Sequence, residues 1–174
     1  MFLVNGFEGV NEFNVLGVRI NNQLKVDSHI SNLIACSAKS LYALRVLKSY
    51  GMPPSSIQEV FRSIVLQKLS YAAPSWWGLT TKQHRDKIEA FINKSKRHGY
   101  CNDTEQKFQQ LVEKAENKLL KNIISNVNHS LYHLLPRPRN HGRTLRNATT
   151  NSLVIAADYD TRNFFDRLLI KTLI

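Results

Sequence analysis

Acidic residues are scarce in this sequence: 13 Asp and Glu stand against 24 Lys and Arg across 174 residues, a formal net charge of +11. Such an excess repels itself in a compact fold and usually answers a polyanion, nucleic acid first and an anionic membrane second. Cysteine is also rare. Cys36 and Cys101 allow one disulfide at most, and free thiols in a reducing compartment, nucleus or cytoplasm, are the expectation. Long apolar runs are missing. The stretch Leu153-Val-Ile-Ala-Ala157 falls far short of the ~20 residues of a spanning helix. The opening Met1-Phe-Leu-Val-Asn5 has no basic flank, so neither a membrane anchor nor a signal peptide is expected.

Catalytic signatures are lacking as well. Two-metal nucleotidyl transfer needs clustered carboxylates, and there is no Asp-Asp pair. No Gly-rich phosphate loop or Gly-x-Ser-x-Gly turn occurs. These absences predict a chain with no catalytic centre of its own, no cofactor and no small-molecule substrate.

What is present reads mainly as helix. Hydrophobic residues make up 43% of the chain, enough for a core. Residues 1–26 alternate weakly, and Val15-Leu-Gly-Val-Arg-Ile20 followed by Asn21-Asn22 reads as a strand running into a turn, part of a short hairpin. That segment is too short to close a sheet alone, so it needs a partner from outside this chain or stays frayed. From Asp27 the period changes. Asp27 or Ser28 serves as N-cap, and Ile30, Leu33, Ile34, Leu41, Leu44 and Leu47 recur at helical spacing up to Tyr50-Gly51. The rod spans roughly 34 Å. Its reverse face, with Ala35, Lys39, Tyr42, Ala43 and Val46, is too apolar to be simply solvated.

A second helix starts at Ser55 or Ser56, carries Ile57, Val60, Phe61 and Ile64 on one stripe, and breaks or kinks at Pro74. Trp76 and Trp77 follow in a tight turn; adjacent tryptophans there read as a core corner more readily than as a platform for bases. Thr80 or Thr81 caps a third helix ending in Lys94-Ser-Lys-Arg-His-Gly99, where cations and a glycine suit the helix's negative end. Asp103 or Thr104 caps a fourth, with Phe108, Leu111, Val112, Ala115, Leu119 and Ile123 on its stripe. A short closing helix is expected from Thr161 to Leu173.

The cations fall in groups. Lys39, Arg45 and Lys48 lie on the first long helix, and Lys94, Lys96 and Arg97 end the third. Lys114, Lys118 and Lys121 form a ridge with no acid three or four places away to neutralise them. From Asn117 to Ala157 there is no Asp or Glu, and Arg137, Arg139, Arg143 and Arg146 punctuate a Pro-containing loop there. These thirteen side chains are the candidate nucleic-acid contacts, and their binding should be strongly salt-dependent. A separate possibility is zinc held by His98-x-x-Cys101 with His129-x-x-x-His133. The bland account makes His98 a helix end, Cys101 a stray thiol and the other two surface residues; it is preferred, and no metal is assigned.

Several strings resemble a known family. Leu16-Gly-Val-Arg-Ile20, then Leu24 and His29-Ile30, resembles the segment after the palm in reverse transcriptases of non-LTR retrotransposons. Leu41-Tyr-Ala-Leu-Arg-Val-Leu-Lys-Ser-Tyr-Gly51 and Leu69-Ser-Tyr-Ala-Ala-Pro-Ser-Trp-Trp-Gly78 are similar to the thumb of Jockey-like elements. Lys94-Ser-Lys-Arg-His-Gly-Tyr-Cys101, Asn128-His-Ser-Leu-Tyr-His-Leu-Leu-Pro136 and Arg162-Asn-Phe164 resemble the tail that follows it. The resemblance implies a helical, thumb-like bundle that holds a template–primer duplex, with fingers, palm and the metal-binding aspartates lying before residue 1. The expected fold is therefore mainly α, with a short N-terminal β-hairpin and an irregular basic segment near the C-terminus. The expected divisions are 1–26, a hairpin at the palm edge; 27–100, the thumb-like domain; and 101–174, a basic helical tail. The partners implied are RNA, DNA or an RNA–DNA hybrid, together with the absent palm domain. Two alternatives stay open: a helical protein-interaction module, and a small zinc-stabilised nucleic-acid binder.

Overall fold

The computed structural model describes residues 3–4, 7–8, 10–102, 106–135 and 162–167. It is mainly helical, with antiparallel hairpins at the N-terminal end. Strands β1 (Leu3–Val4) and β2 (Phe7–Glu8) form the first pair. Strands β3 (Glu12–Val15) and β4 (Val18–Asn21) form the second, with Val15 opposite Val18. The strand expected over Val15–Ile20 is thus broken in the middle. Leu16 and Gly17 have φ of 48° and 88°, the paired positive values of a two-residue type I′ turn. Asn21 closes the next turn, its Oδ1 accepting from the backbone N–H of Gln23 and Lys25 at 3.0 and 2.8 Å.

Nor is the hairpin frayed. Its partner is in the same chain: Val18 is buried, the Tyr71 hydroxyl donates to the Leu16 carbonyl at 3.1 Å, and β4 packs on the first helix. That helix, α1 (Asp27–Ser49), ends just before Tyr50-Gly51 as its periodicity predicts and starts at Asp27, earlier than the expected cap allows. Its cap differs. Val26 holds the N-cap position with no side-chain bond, and Asp27 sits in the first turn, where its carboxylate lies 3.0 Å from His84 Nε2. Gly51, at φ 85°, ends the helix with its N–H donating to the Lys48 carbonyl.

The second helix begins at Pro54, not at a serine, because proline suits a first turn whose N–H has no partner. After α2 (Pro54–Val60) the chain widens into a π-helical stretch (Phe61–Leu66) before α3 (Gln67–Ser70). The Gln67 N–H reaches back five residues to the Arg62 carbonyl. This wide turn rotates the stripe: Val65 and Leu66 are buried, while Ile64, expected inside, is 49% exposed. Pro74 does not break this helix. Ala72, in the left-handed region at φ 50°, turns the chain, and Pro74 sits in the first turn of α4 (Ala73–Trp76), followed by a 3-10 turn (Trp77–Leu79).

Helix α5 (Lys82–Arg97) is capped by Thr81, one of the two threonines expected. His84 replaces the usual Glu of the capping box: its N–H donates to Thr81 Oγ1 at 3.3 Å, and its Nδ1 receives the Thr81 N–H at 3.5 Å. With Nδ1 accepting, Nε2 carries the proton and donates to Asp27. The first turns of α1 and α5 are tied by this one ring.

The core of residues up to Val112 gathers on the tryptophan corner. Trp76 is fully buried and Trp77 nearly so, edge-on to each other at 6.0 Å; Trp77 is edge-on to Phe108 at 5.6 Å. The Trp76 indole N–H donates to the Tyr71 carbonyl at 2.9 Å. Burial of a side chain this large contributes on the order of 5 kcal/mol before entropy is set against it.

Contacts divide the chain into Met1–Val112 and Glu113–Ile174, a division that falls inside α6 (Phe108–Ser125). In the second unit the centre of the expected stripe shifts. Ala115 and Leu119 are only half-buried, whereas Glu116, Leu120 and Ile123 are buried. A 3-10 turn (Tyr132–Leu134) follows. Of the expected closing helix, residues 164–167 are helical, Arg162 and Asn163 form a turn and a bend before them, and the remainder lies outside the described residues, as do Asp103 and Thr104.

Candidate functional site

Helix α1 leaves its outer face largely uncovered: Ala35, Lys39, Tyr42 and Ala43 are exposed. On one flank it meets the C-terminal half of α5 across a groove of about 630 Å³. Ile34, Ala38, Leu41, Tyr42 and Arg45 line one wall, Phe91 and Lys94 the other, and His98 and Tyr100 the end. No acid is among these residues. Arg45 and Lys94, both picked out as nucleic-acid contacts from sequence, are brought together here and are both exposed.

The end of the groove is held by hydrogen bonds. The Lys48 ammonium donates to the His98 carbonyl at 2.9 Å and lies 5.7 Å from the centre of the Tyr100 ring. Here a cation satisfies one of the carbonyls that a helix C-terminus leaves without a partner. His98 stacks on Tyr100 at 5.8 Å with 10° between the rings, and its Nδ1 donates to the Lys94 carbonyl at 2.7 Å. Gly99 has φ of 73°, and a Cβ there would come within 3.4 Å of Lys48 Nζ. Lys48 is therefore first a structural clamp. Sequence reasoning placed Tyr42 on the reverse face of α1 but missed Tyr100, whose place depends on the turn after α5.

The other expected contacts are dispersed. Lys39 and Arg97 are exposed away from the groove lining, and Lys96 is half-buried. In the second unit Lys114, Lys118 and Lys121 are all exposed along α6. Arg137, Arg139, Arg143 and Arg146 lie outside the described residues. Trp76 and Trp77 are core, as preferred, and Arg85 lies over Trp77 at 5.0 Å from the ring centre.

The zinc residues have separate duties. Cys101 is buried among the apolar residues of the first core, and His98 is engaged with Lys94 and Tyr100. His129 Nδ1 accepts the Leu131 N–H at 3.1 Å, and His133 is exposed in the 3-10 turn. Among the described residues no three His, Cys, Asp or Glu are grouped to hold a metal. Among them, too, no helix is long and apolar enough to cross a membrane.

Two buried polar features were not foreseen. His29 packs edge-on against Trp76 at 5.4 Å and accepts the Arg19 N–H on Nδ1 at 3.5 Å, while its Nε2 faces no hydrogen-bond partner. Burial, with the Arg19 charge adding to it, pushes the His29 pKa below the ordinary 6.5. In the second unit Glu116 accepts from Arg167 Nε at 3.0 Å and from its Nη2 at 2.5 Å. The two side chains are 0% and 11% exposed. Arg167 Nη1 also donates to the Arg162 carbonyl at 3.1 Å.

In comparison with known proteins, the chain matches no protein-family model, no curated protein and no solved structure.

Proposed function

We propose that this chain is a nucleic-acid-gripping helical domain of the reverse-transcriptase thumb type, binding template–primer without sequence preference and performing no catalysis alone. The observation that carries the proposal is the groove between α1 and α5, where Arg45 and Lys94 meet across an acid-free lining. Two cations held on rigid helices at one groove suit phosphate contacts, which carry no sequence information. The net charge of +11 and the exposed lysine ridge of α6 support the same reading. So does the role of the strings that resemble a thumb: Leu44, Leu69, Ala73, Trp76 and Trp77 all enter one core, as a fold-determining signature should. Nuclear or cytoplasmic residence, in contact with RNA or an RNA–DNA hybrid, belongs to this proposal.

Fluorescence anisotropy with a short RNA–DNA hybrid tests it at low and at moderate salt. Binding that weakens steeply with salt is expected, since each phosphate contact releases counterions. No binding at low salt overturns the proposal, and nucleotide incorporation on a primer by the chain alone overturns its non-catalytic part.

A protein-interaction module is the second reading, favoured by the opposite flank of α1. There Ala43, Leu44, Leu47, Val60, Ile64 and Val65 line a smaller, apolar groove of about 150 Å³. Chain-to-chain binding that ignores salt would favour it.

A further inference from the structure

We infer that the groove between α1 and α5 is a pocket for a single unpaired nucleotide, its base stacked inside and its phosphate on the rim, so that the domain prefers nucleic acid with a single-stranded end. This rests on the proposed nucleic-acid reading and makes it more specific.

The argument begins with the mismatch between rim and floor. Arg45 and Lys94 offer charge at the edge, yet Ile34, Leu41 and Phe91 below them are apolar. The outside of a duplex presents phosphates and sugars, and pressing those on hydrocarbon loses their hydration with nothing in return. A lone apolar side chain from a protein fits the floor and leaves both cations without partners. An unpaired nucleotide matches both halves, because every base has a flat π-face and every nucleotide carries an anionic phosphate.

The shape agrees. Ala38 contributes only a methyl group to the α1 wall and is itself exposed, so the groove is open between Ile34 and Tyr42. Its volume of about 630 Å³ lies in the usual range for small-ligand sites of roughly 300–1,000 Å³. Two kinds of π-surface border it. Tyr42 is 68% exposed. His98 is exposed and held in place from behind by Tyr100 and by its bond to the Lys94 carbonyl. A ring fixed in this way loses little freedom when a base stacks on it.

The test uses the full chain and two RNA–DNA hybrids, one blunt and one with a three-nucleotide single-stranded overhang carrying 2-aminopurine. Anisotropy should show the overhang hybrid binding roughly tenfold tighter, the size expected of one base stacked on an aromatic side chain. The 2-aminopurine emission should be quenched on binding. Tyr42→Ala removes a stacking face, and Ala38→Leu fills the opening while keeping every charge. Both positions are exposed, so both variants should fold, and each should bring the two hybrids to within about twofold of each other. Equal binding of both hybrids by the unaltered chain, or an overhang advantage that survives both substitutions, overturns the pocket and leaves the nucleic-acid reading standing. No binding of either hybrid overturns both. Binding of neither hybrid together with capture of an acidic, aromatic peptide would likewise overturn both and give the groove to a protein partner.

Discussion

The two units of this chain bury their helices by different physical means. Up to Val112 the interior is built from apolar side chains converging on Trp76, with single polar groups such as His29, Ser37 and His84 buried among them. From Glu113 onward the buried row of α6 contains a carboxylate, Glu116, matched to Arg167 from 51 residues away. An apolar core tolerates error gracefully, since a lost contact costs in proportion to area. A buried ion pair does not: either partner left alone is a charge in a poor solvent, and a matched apolar replacement of both is often harmless.

The sharpest way to break this comparison is to damage each interior in its own manner. Trp76→Ala should cost about 3–5 kcal/mol, enough to unfold much of a marginally stable domain, read as the urea midpoint of near-ultraviolet circular dichroism. Glu116→Leu alone should cost about 3 kcal/mol, whereas Glu116→Leu with Arg167→Met should recover most of that loss. A double variant as weak as the single one would mean that the pair contributes net stability, and the contrast between the two units would fall.

Binding sharpens the comparison next. Lys114, Lys118 and Lys121 changed together to Ser should weaken hybrid binding evenly across sequences and reduce the salt slope by roughly three if all touch phosphate. The pair Arg45→Ser and Lys94→Ser should reduce it by roughly two on the same reasoning. Titration with salt measures both. An unchanged slope in the lysine variant would assign the grip to the first unit alone.

The smallest effect is in pH. His29 has a folded-state pKa below the ordinary 6.5, so below 6.5 the unfolded chain binds the proton more readily. The stability that His29 contributes is thus complete above that value and is lost as pH falls through the folded-state pKa. Melting temperature should decline over that window, and His29→Gln should flatten the decline. An identical profile in the variant would exclude His29 as its source.

How legible these features were in sequence follows from the range of the forces behind them. Helix α1 could be read at its end and to within a residue or two at its start, because periodicity and the Gly51 stop are local. Capping at Thr81 and the burial of Trp76 and Trp77 were local too. The start of the second helix and the loss of Ile64 from its stripe were misread. Periodicity assumes an unbroken 3.6-residue turn, and nothing in Phe61-Arg-Ser-Ile-Val-Leu66 announces a wider one. The anchoring of β3–β4 and the pairing of Glu116 with Arg167 depend on residues dozens of positions apart. At the groove the cations were visible as composition, but their meeting across it comes from how α1 and α5 pack, which no spacing within either helix encodes.

The wide turn at Phe61–Leu66 has one more implication. A π-helical turn is an α-helical turn with a residue to spare, so this is the place where the chain can lose an amino acid and stay in step. Deleting Ser63, which is exposed, should let the helix close into an ordinary spiral, with Phe61 before the cut and Leu69 after it both still facing inward. The same deletion in α1 or α5 would turn every later side chain by about 100° and empty the core. Among the described helices, length is negotiable at this address.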